Sequence, residues 1–209
     1  MKKILILLLA LPLMSEAREF DPSKESGKLQ IGMRSIFSSF SDDGYHGFGV
    51  GGHFRIKFGS RLNSEWFFDY ITTDIGGLAK RTDYHIGWAV MYYPFNNVIE
   101  KGKFTPYIQA GHCFDYTEVK KTVSSGLKEN RGSMAVSSGL GCHYNIADNF
   151  DITLSALYML HLEKEINATI FTAPNNEQDI MITKDKANLE GHLLATLSLN
   201  IYIADLWGK

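Results

Sequence analysis

Seven histidines, two cysteines and a set of inward-spaced charges are the residues of this chain whose types could do chemistry. The histidines, His46, His53, His85, His112, His143, His161 and His192, are scattered along the whole sequence. None begins the His-x-x-x-His spacing that presents two imidazoles to one metal ion, so no metal site and no cofactor is expected from spacing. His112 and Ser138 would face each other, both pointing outward, if their strands formed a symmetric hairpin. A lipid-facing esterase needs such a pair plus an orienting carboxylate or amide. No outward Asp, Glu or Asn on the flanking strands completes the set, and no His-x-Ser run occurs. No catalytic residue is assigned, and a non-enzymatic role is expected. Cys113 and Cys142 are too few for a disulfide scaffold, and they fall on opposite faces of neighbouring segments, which leaves two free thiols.

The remaining chemistry lies in Arg34, His53, Arg55, Lys57, Glu65, Asp69, His85, His143, Asp151, His161, Glu190 and His192, which share one parity within their segments. What positions them is a period of two. From Leu189 the odd positions read Leu189, Gly191, Leu193, Ala195, Leu197, Leu199, Ile201 and Ile203, and the even ones Glu190, His192, Leu194, Thr196, Ser198, Asn200 and Tyr202. Such alternation is a β-strand with one apolar and one polar face. It recurs over residues 28–39, 46–58, 62–73, 84–95, 104–119, 134–144 and 150–163, which with the last makes eight strands. The fifth is the least clean.

The connections differ by end. After the second, fourth and sixth strands they are short, at 59–61, 96–103 and 145–149; after the others they cover 40–45, 74–83, 120–133 and 166–188. Short turns on one side and long polar segments on the other describe an all-β, eight-stranded, antiparallel up-and-down transmembrane β-barrel, with the short turns periplasmic and the longer loops extracellular. The run 180–183 is β-prone and could extend the wall as a protruding sheet.

Composition narrows the partners. A formal net charge of −2 gives no electrostatic drive toward nucleic acid, which is excluded as a partner. Residues 1–17 open with Lys2 and Lys3, run apolar from Ile4 to Met14 and end on Ser15-Glu16-Ala17, as a cleaved secretory signal does. The apolar run is about half of the roughly 20 residues a membrane helix needs. Residues 18–27 form a polar leader, and 28–209 are the barrel. No later segment is apolar enough for a spanning helix, so any membrane crossing must use strands.

A secreted soluble barrel of the lipocalin kind would invert the faces, with the apolar parity inside. Two features favour lipid. Gly47, Gly49, Gly51, Gly139 and Gly141 share parity with the charges, as a narrow eight-stranded lumen needs. The opposite parity carries Phe54, Trp66, Tyr70, Tyr84, Trp88, Tyr92, Tyr116, Tyr144 and Phe150, several near strand ends where interfacial girdles lie. At this point the chain resembles the small outer-membrane β-barrels of the OmpA, OmpX and OmpW type. The likeness is one of pattern over the whole mature chain, joined by the phrase Phe104-Thr105-Pro106-Tyr107-Ile108-Gln109-Ala110-Gly111. Its ending departs from the pattern, since Trp207 is followed by Gly208 and Lys209 rather than closing on an aromatic.

The resemblance implies an integral protein of a Gram-negative-type outer membrane, with membrane lipid and the barrel-assembly machinery as partners. Its inward charges would form a salt-bridged plug, with a small channel for ions or hydrophobic solutes as the alternative. Surface or host partners would meet it through the segments 120–133 and 166–188.

Overall fold

A computed structural model describes residues 26–40, 45–95, 100–122, 127–174 and 176–207. Eight strands follow one another: β1 (Lys28–Phe40), β2 (His46–Lys57), β3 (Leu62–Ile75), β4 (Ala79–Tyr92), β5 (Phe104–Lys121), β6 (Lys128–Ala147), β7 (Phe150–Thr172) and β8 (Gln178–Asp205). Each pairs antiparallel with its neighbours, and β1 closes on β8 to complete the barrel. The signal sequence expected at 1–17 and the leader as far as residue 25 lie outside the described residues. Gly27, at the leader's end, donates its N–H to the Lys57 carbonyl (2.7 Å) and accepts from Leu206 N–H (2.6 Å), which fixes the entry of β1 beside the exit of β8.

The parity of every strand becomes an inside and an outside. Odd residues of β2 to β7 and even residues of β1 and β8 turn inward, where Arg34, Arg55, Lys57, Glu65, Asp69, His85, Asp151, His161, Glu190 and His192 are all buried. The opposite parity is bare. Met33 is 76% exposed, Phe48 68% and Leu154 62%, within an unbroken apolar band around the wall. Soluble monomers rarely expose a continuous patch larger than a few hundred Å². A band on every strand of a closed barrel therefore requires lipid as its solvent.

Glycines make the narrow interior possible. A Cβ on Gly51 would strike the Asp69 carboxylate and stand 2.7 Å from the Phe68 carbonyl, and one on Gly141 would strike the Tyr107 ring. The aromatics of the outer face form two partial belts. Tyr70, Tyr84 and Tyr116 adjoin across β3, β4 and β5, with ring centroids 5.3 and 6.2 Å apart. Phe104 and Tyr144 meet at 4.7 Å near the opposite end, toward which Tyr92 and Phe150 also lie at the ends of β4 and β7. Phe54, Trp66 and Trp88 form a row between the belts, four residues along β3 from Tyr70, so Trp88 is not among the outward aromatics that lie at strand ends.

Much of the chain expected as loop is strand. β3 runs to Ile75 and β4 begins at Ala79, joined through Gly76 and Gly77 at φ of 59° and 72°, a left-handed region in which glycine alone is unstrained. β5 ends at Lys121, β6 begins at Lys128 and β8 at Gln178, so the expected loops 74–83, 120–133 and 166–188 shorten to 76–78, 122–127 and 173–177 between long paired strands. The extra length at this end is present, as paired strand. Between Leu160 and Ile166 the β7–β8 register shifts twice, and the inward parity of β7 changes from odd (His161) to even (Ile166, Ala168). Such an irregularity bends a strand. Here it folds the end of the hairpin over the mouth of the barrel, where Ile166, Ala168 and Ile180 pack on Ile75, Ala79 and Val119. A Lys121–Asp179 ion pair ties the hairpin to β5.

Candidate functional site

The interior is built in layers, each set by which strand residues share a level. Near the short-turn end, Tyr93, Met91 and Tyr107 cluster beneath His143. The Tyr93 hydroxyl accepts from Asn63 Nδ2 (2.8 Å) and lies 2.9 Å from His143 Nε2, whose Nδ1 is 2.6 Å from Thr153 Oγ1. Asp151 then accepts from Gln30 and from Asn200 Nδ2 (2.6 Å), and His53 Nε2 is 2.7 Å from Asn200 Oδ1.

Two guanidiniums and two carboxylates follow. Arg55 Nε donates to Glu65 Oε2 (2.6 Å), Arg34 Nη1 to Glu65 Oε1 (3.0 Å), and Arg34 Nε to Asp69 Oδ1 (2.7 Å). The Arg34 guanidinium also covers the Phe67 ring at 4.5 Å. Lys57 is buried as well and lies opposite Asn63, one inward step from Glu65.

An apolar layer interrupts the charges. Ile36, Phe67, Ile71, Cys113, Ala135, Leu157, Met159 and Leu194 form one buried cluster, and its members come from inward positions that are otherwise polar. Toward the mouth, polarity returns. His85 on β4, His161 on β7 and His192 on β8 converge so that one nitrogen of each ring lies within 4.8 Å of the others. Asp115 on β5 faces two of them, with Oδ2 2.9 Å from His161 Nδ1 and Oδ1 3.3 Å from His85 Nε2.

One step higher, Glu190 accepts from Arg81 and, at 2.8 Å, pairs with Arg131. Arg81 Nε donates to Asp83 (3.0 Å) and Thr117 Oγ1 to the same carboxylate (2.7 Å). The hairpin cap packs over this layer, with a pocket of about 10 Å³ between Ile166, Ala168 and Arg81.

Sequence spacing sets the histidines aside as scattered, whereas the barrel brings three of them together from non-adjacent stretches. Arg81, Asp83 and Arg131 escape the sequence reading because they fall in segments expected as loop. The signal is available, since 79, 81, 83 and 85 continue the inward parity of β4 without a break. The expected outward pair does not form. His112 lies opposite Val136 and Ser138 opposite Ala110, a two-residue offset from a symmetric hairpin, and His112 packs edge-on to Trp88 at 5.1 Å. Cys113 is buried and Cys142 half-buried on opposite faces, both as free thiols.

An eight-stranded closed barrel with an apolar outer band and a charged interior defines the class of small outer-membrane barrels. Comparison with known families agrees, since the outer membrane protein beta-barrel domain matches residues 4–179. The chain belongs to that family, which places it in the outer membrane of a Gram-negative-type cell. Among solved structures it is similar to a major outer membrane protein from Thermus thermophilus, at 12% identity and a TM-score of 0.58, covering 84% of this chain and 98% of that one. It is also similar to Neisserial surface protein A, at 15% identity and 0.54 over 87% and 100% of the two chains. OprG from Pseudomonas aeruginosa matches at 14% identity and 0.52 over 88% and 100%. At such identities the likeness is one of fold. No curated protein sequence matches the chain.

Proposed function

We propose that this protein is a plugged, non-catalytic barrel that anchors a strand-built projection at the outer surface of the membrane and presents it to other surface molecules. The observation that carries the reading is the β7–β8 hairpin. Its strands, Phe150–Thr172 and Gln178–Asp205, far exceed the roughly 9–11 residues needed to cross a bilayer. Their pairing continues from Ile166↔Lys184 to Thr172↔Gln178, beyond the bulge.

One face of the projection seals the barrel. The other leaves Phe171 and Met181 exposed, and among the described residues β1 pairs with β8 only as far as Phe40↔His192, so the β8 edge beyond His192 has no β1 partner there. An open edge flanked by apolar side chains suits binding by strand addition. Below the cap, paired charges line the lumen, and the pocket between Ile166, Ala168 and Arg81, about 10 Å³, is at the lower limit for one water molecule. In this reading the segment 1–17 is removed on export, and the barrel-assembly machinery inserts the remainder.

Conductance tests the plug. Protein folded in detergent and added to planar bilayers is expected to give no sustained openings across either polarity of applied voltage. Stable, large single-channel steps would overturn the plugged reading in favour of a channel.

A further inference from the structure

We propose that His85, His161 and His192 form an internal binding site for one divalent transition-metal ion of the zinc type. Neither the surface role nor the plug reading is needed for this inference. Its basis is the agreement of three features at one level of the barrel.

The first is spacing. His161 Nε2 and His192 Nε2 lie 3.2 Å apart. Two imidazole nitrogens bound to one tetrahedral zinc at about 2.0–2.1 Å stand about 3.3 Å from each other. The third ring is close to both, with its centroid 5.9 Å from that of His161 and 5.7 Å from that of His192. Three imidazoles that leave a fourth position open make a donor set suited to zinc, copper or nickel.

The second is orientation. A metal-bound imidazole is held by a carboxylate, carbonyl or hydroxyl on its other nitrogen. Asp115 Oδ2 is 2.9 Å from His161 Nδ1, and Ser38 Oγ is 3.0 Å from His192 Nδ1, so both rings turn their Nε2 atoms toward the shared point. His85 is fully buried; its Nε2 lies 3.3 Å from Asp115 Oδ1 without hydrogen-bond geometry, and its Nδ1 has no hydrogen-bond partner among the described residues. A buried imidazole nitrogen without a partner is costly unless something accepts its lone pair or its proton.

The third is charge. Asp83, Asp115 and Glu190 stand in and just above this level against Arg81 and Arg131, three carboxylates to two guanidiniums. With neutral imidazoles the layer carries one negative charge in excess. A cation held among the three imidazoles therefore meets a net negative, not a net positive, surround. Because the Arg81–Glu190–Arg131 layer and the hairpin cap lie between the histidines and the mouth, the ion enters most readily while the barrel closes.

The test is metal content of the full barrel folded in detergent with zinc present and then stripped of free metal by gel filtration over a weak chelator. The wild-type protein is expected to retain about one zinc per chain by elemental mass spectrometry. Cobalt in its place is expected to give the visible absorption of a tetrahedral nitrogen site. His85→Gln and His192→Gln are expected to lose the ion, and His46→Gln, at an exposed position, to keep it. Asp115→Asn acts through His161 and His85, and is expected to weaken binding by about 10–100-fold. The altered gel mobility of unboiled protein identifies which variants have folded, and His85→Gln and His192→Gln are scored independently so that one failure to fold leaves the other decisive. Folded wild-type protein that retains no zinc or cobalt would overturn the site, as would undiminished retention by folded His85→Gln or His192→Gln.

Discussion

Glu65 holds two cations at once, Arg34 on one carboxylate oxygen and Arg55 on the other, and all three side chains are almost wholly buried. Each charge is tolerable in the lumen only because the other two are there, since desolvation costs several kcal/mol per ion. Removing the acid takes from Arg55 its Glu65 ion pair, while Arg34 retains Asp69. Glu65→Met is therefore expected to destabilise the folded barrel by about 3–5 kcal/mol, the range for breaking one side of a buried pair. Urea titration in lipid vesicles, followed by the loss of the fast-migrating unboiled band, reads that change. A loss below about 1 kcal/mol, the scale of exposed ion pairs, would mean that water reaches these charges and that they do not form a sealed plug. The same interior explains why Gly51 faces Asp69, because a larger residue would occupy the space the carboxylate needs to reach Arg34.

At the scale of elements, the β7–β8 hairpin changes character along its length. Below the bulge it is barrel wall, with an apolar outer face and a polar inner one; above it, the inner face is Ile166, Ala168 and Ile180. The surface reading makes this upper part the contact element. A photo-crosslinking residue in place of Phe171 or Met181 is expected to give adducts to protein in intact cells, and one in place of Leu197 adducts to lipid. Lipid adducts alone from all three positions would remove the projection from the surface role. The bulge also marks where legibility stops. Wherever lipid lies on one side and charge on the other, parity is readable, because an unpaired charge against hydrocarbon is too costly to occur by accident. Past Leu160 that contrast fades, both faces mix apolar and polar residues, and paired strands look like loop in the sequence. Register is legible only as far as hairpin symmetry is reliable, which is why symmetry sets His112 and Ser138 opposite each other when they are two residues apart. The three-histidine cluster is hidden for another reason. It is assembled by closure of β4, β7 and β8 around one lumen, and no local spacing carries that information.

For the molecule as a whole, the arrangement of the two faces makes solvent the deciding term. The outer band has Leu197 near the middle of the spanning part of β8, 52% exposed, and Ile203 close to its end, 36% exposed. In water both are surface positions and an arginine at either would be nearly neutral, within about 0.5 kcal/mol. In a bilayer the two differ, because the cost of a charge rises with depth. Leu197→Arg is expected to cost about 2–4 kcal/mol and Ile203→Arg about 0–1 kcal/mol, in keeping with midplane and interfacial positions on a barrel wall. Unfolding in vesicles, read by tryptophan fluorescence from Trp66 and Trp88 on the same outer face, measures both. Equal and small effects would place the band in water, and a reversed order would move the hydrocarbon belt toward the short-turn end. The expected gradient ties the period of two to a depth axis, so that the height of each layer inside, the three histidines included, can be read from how strongly its outward neighbours resist a charge.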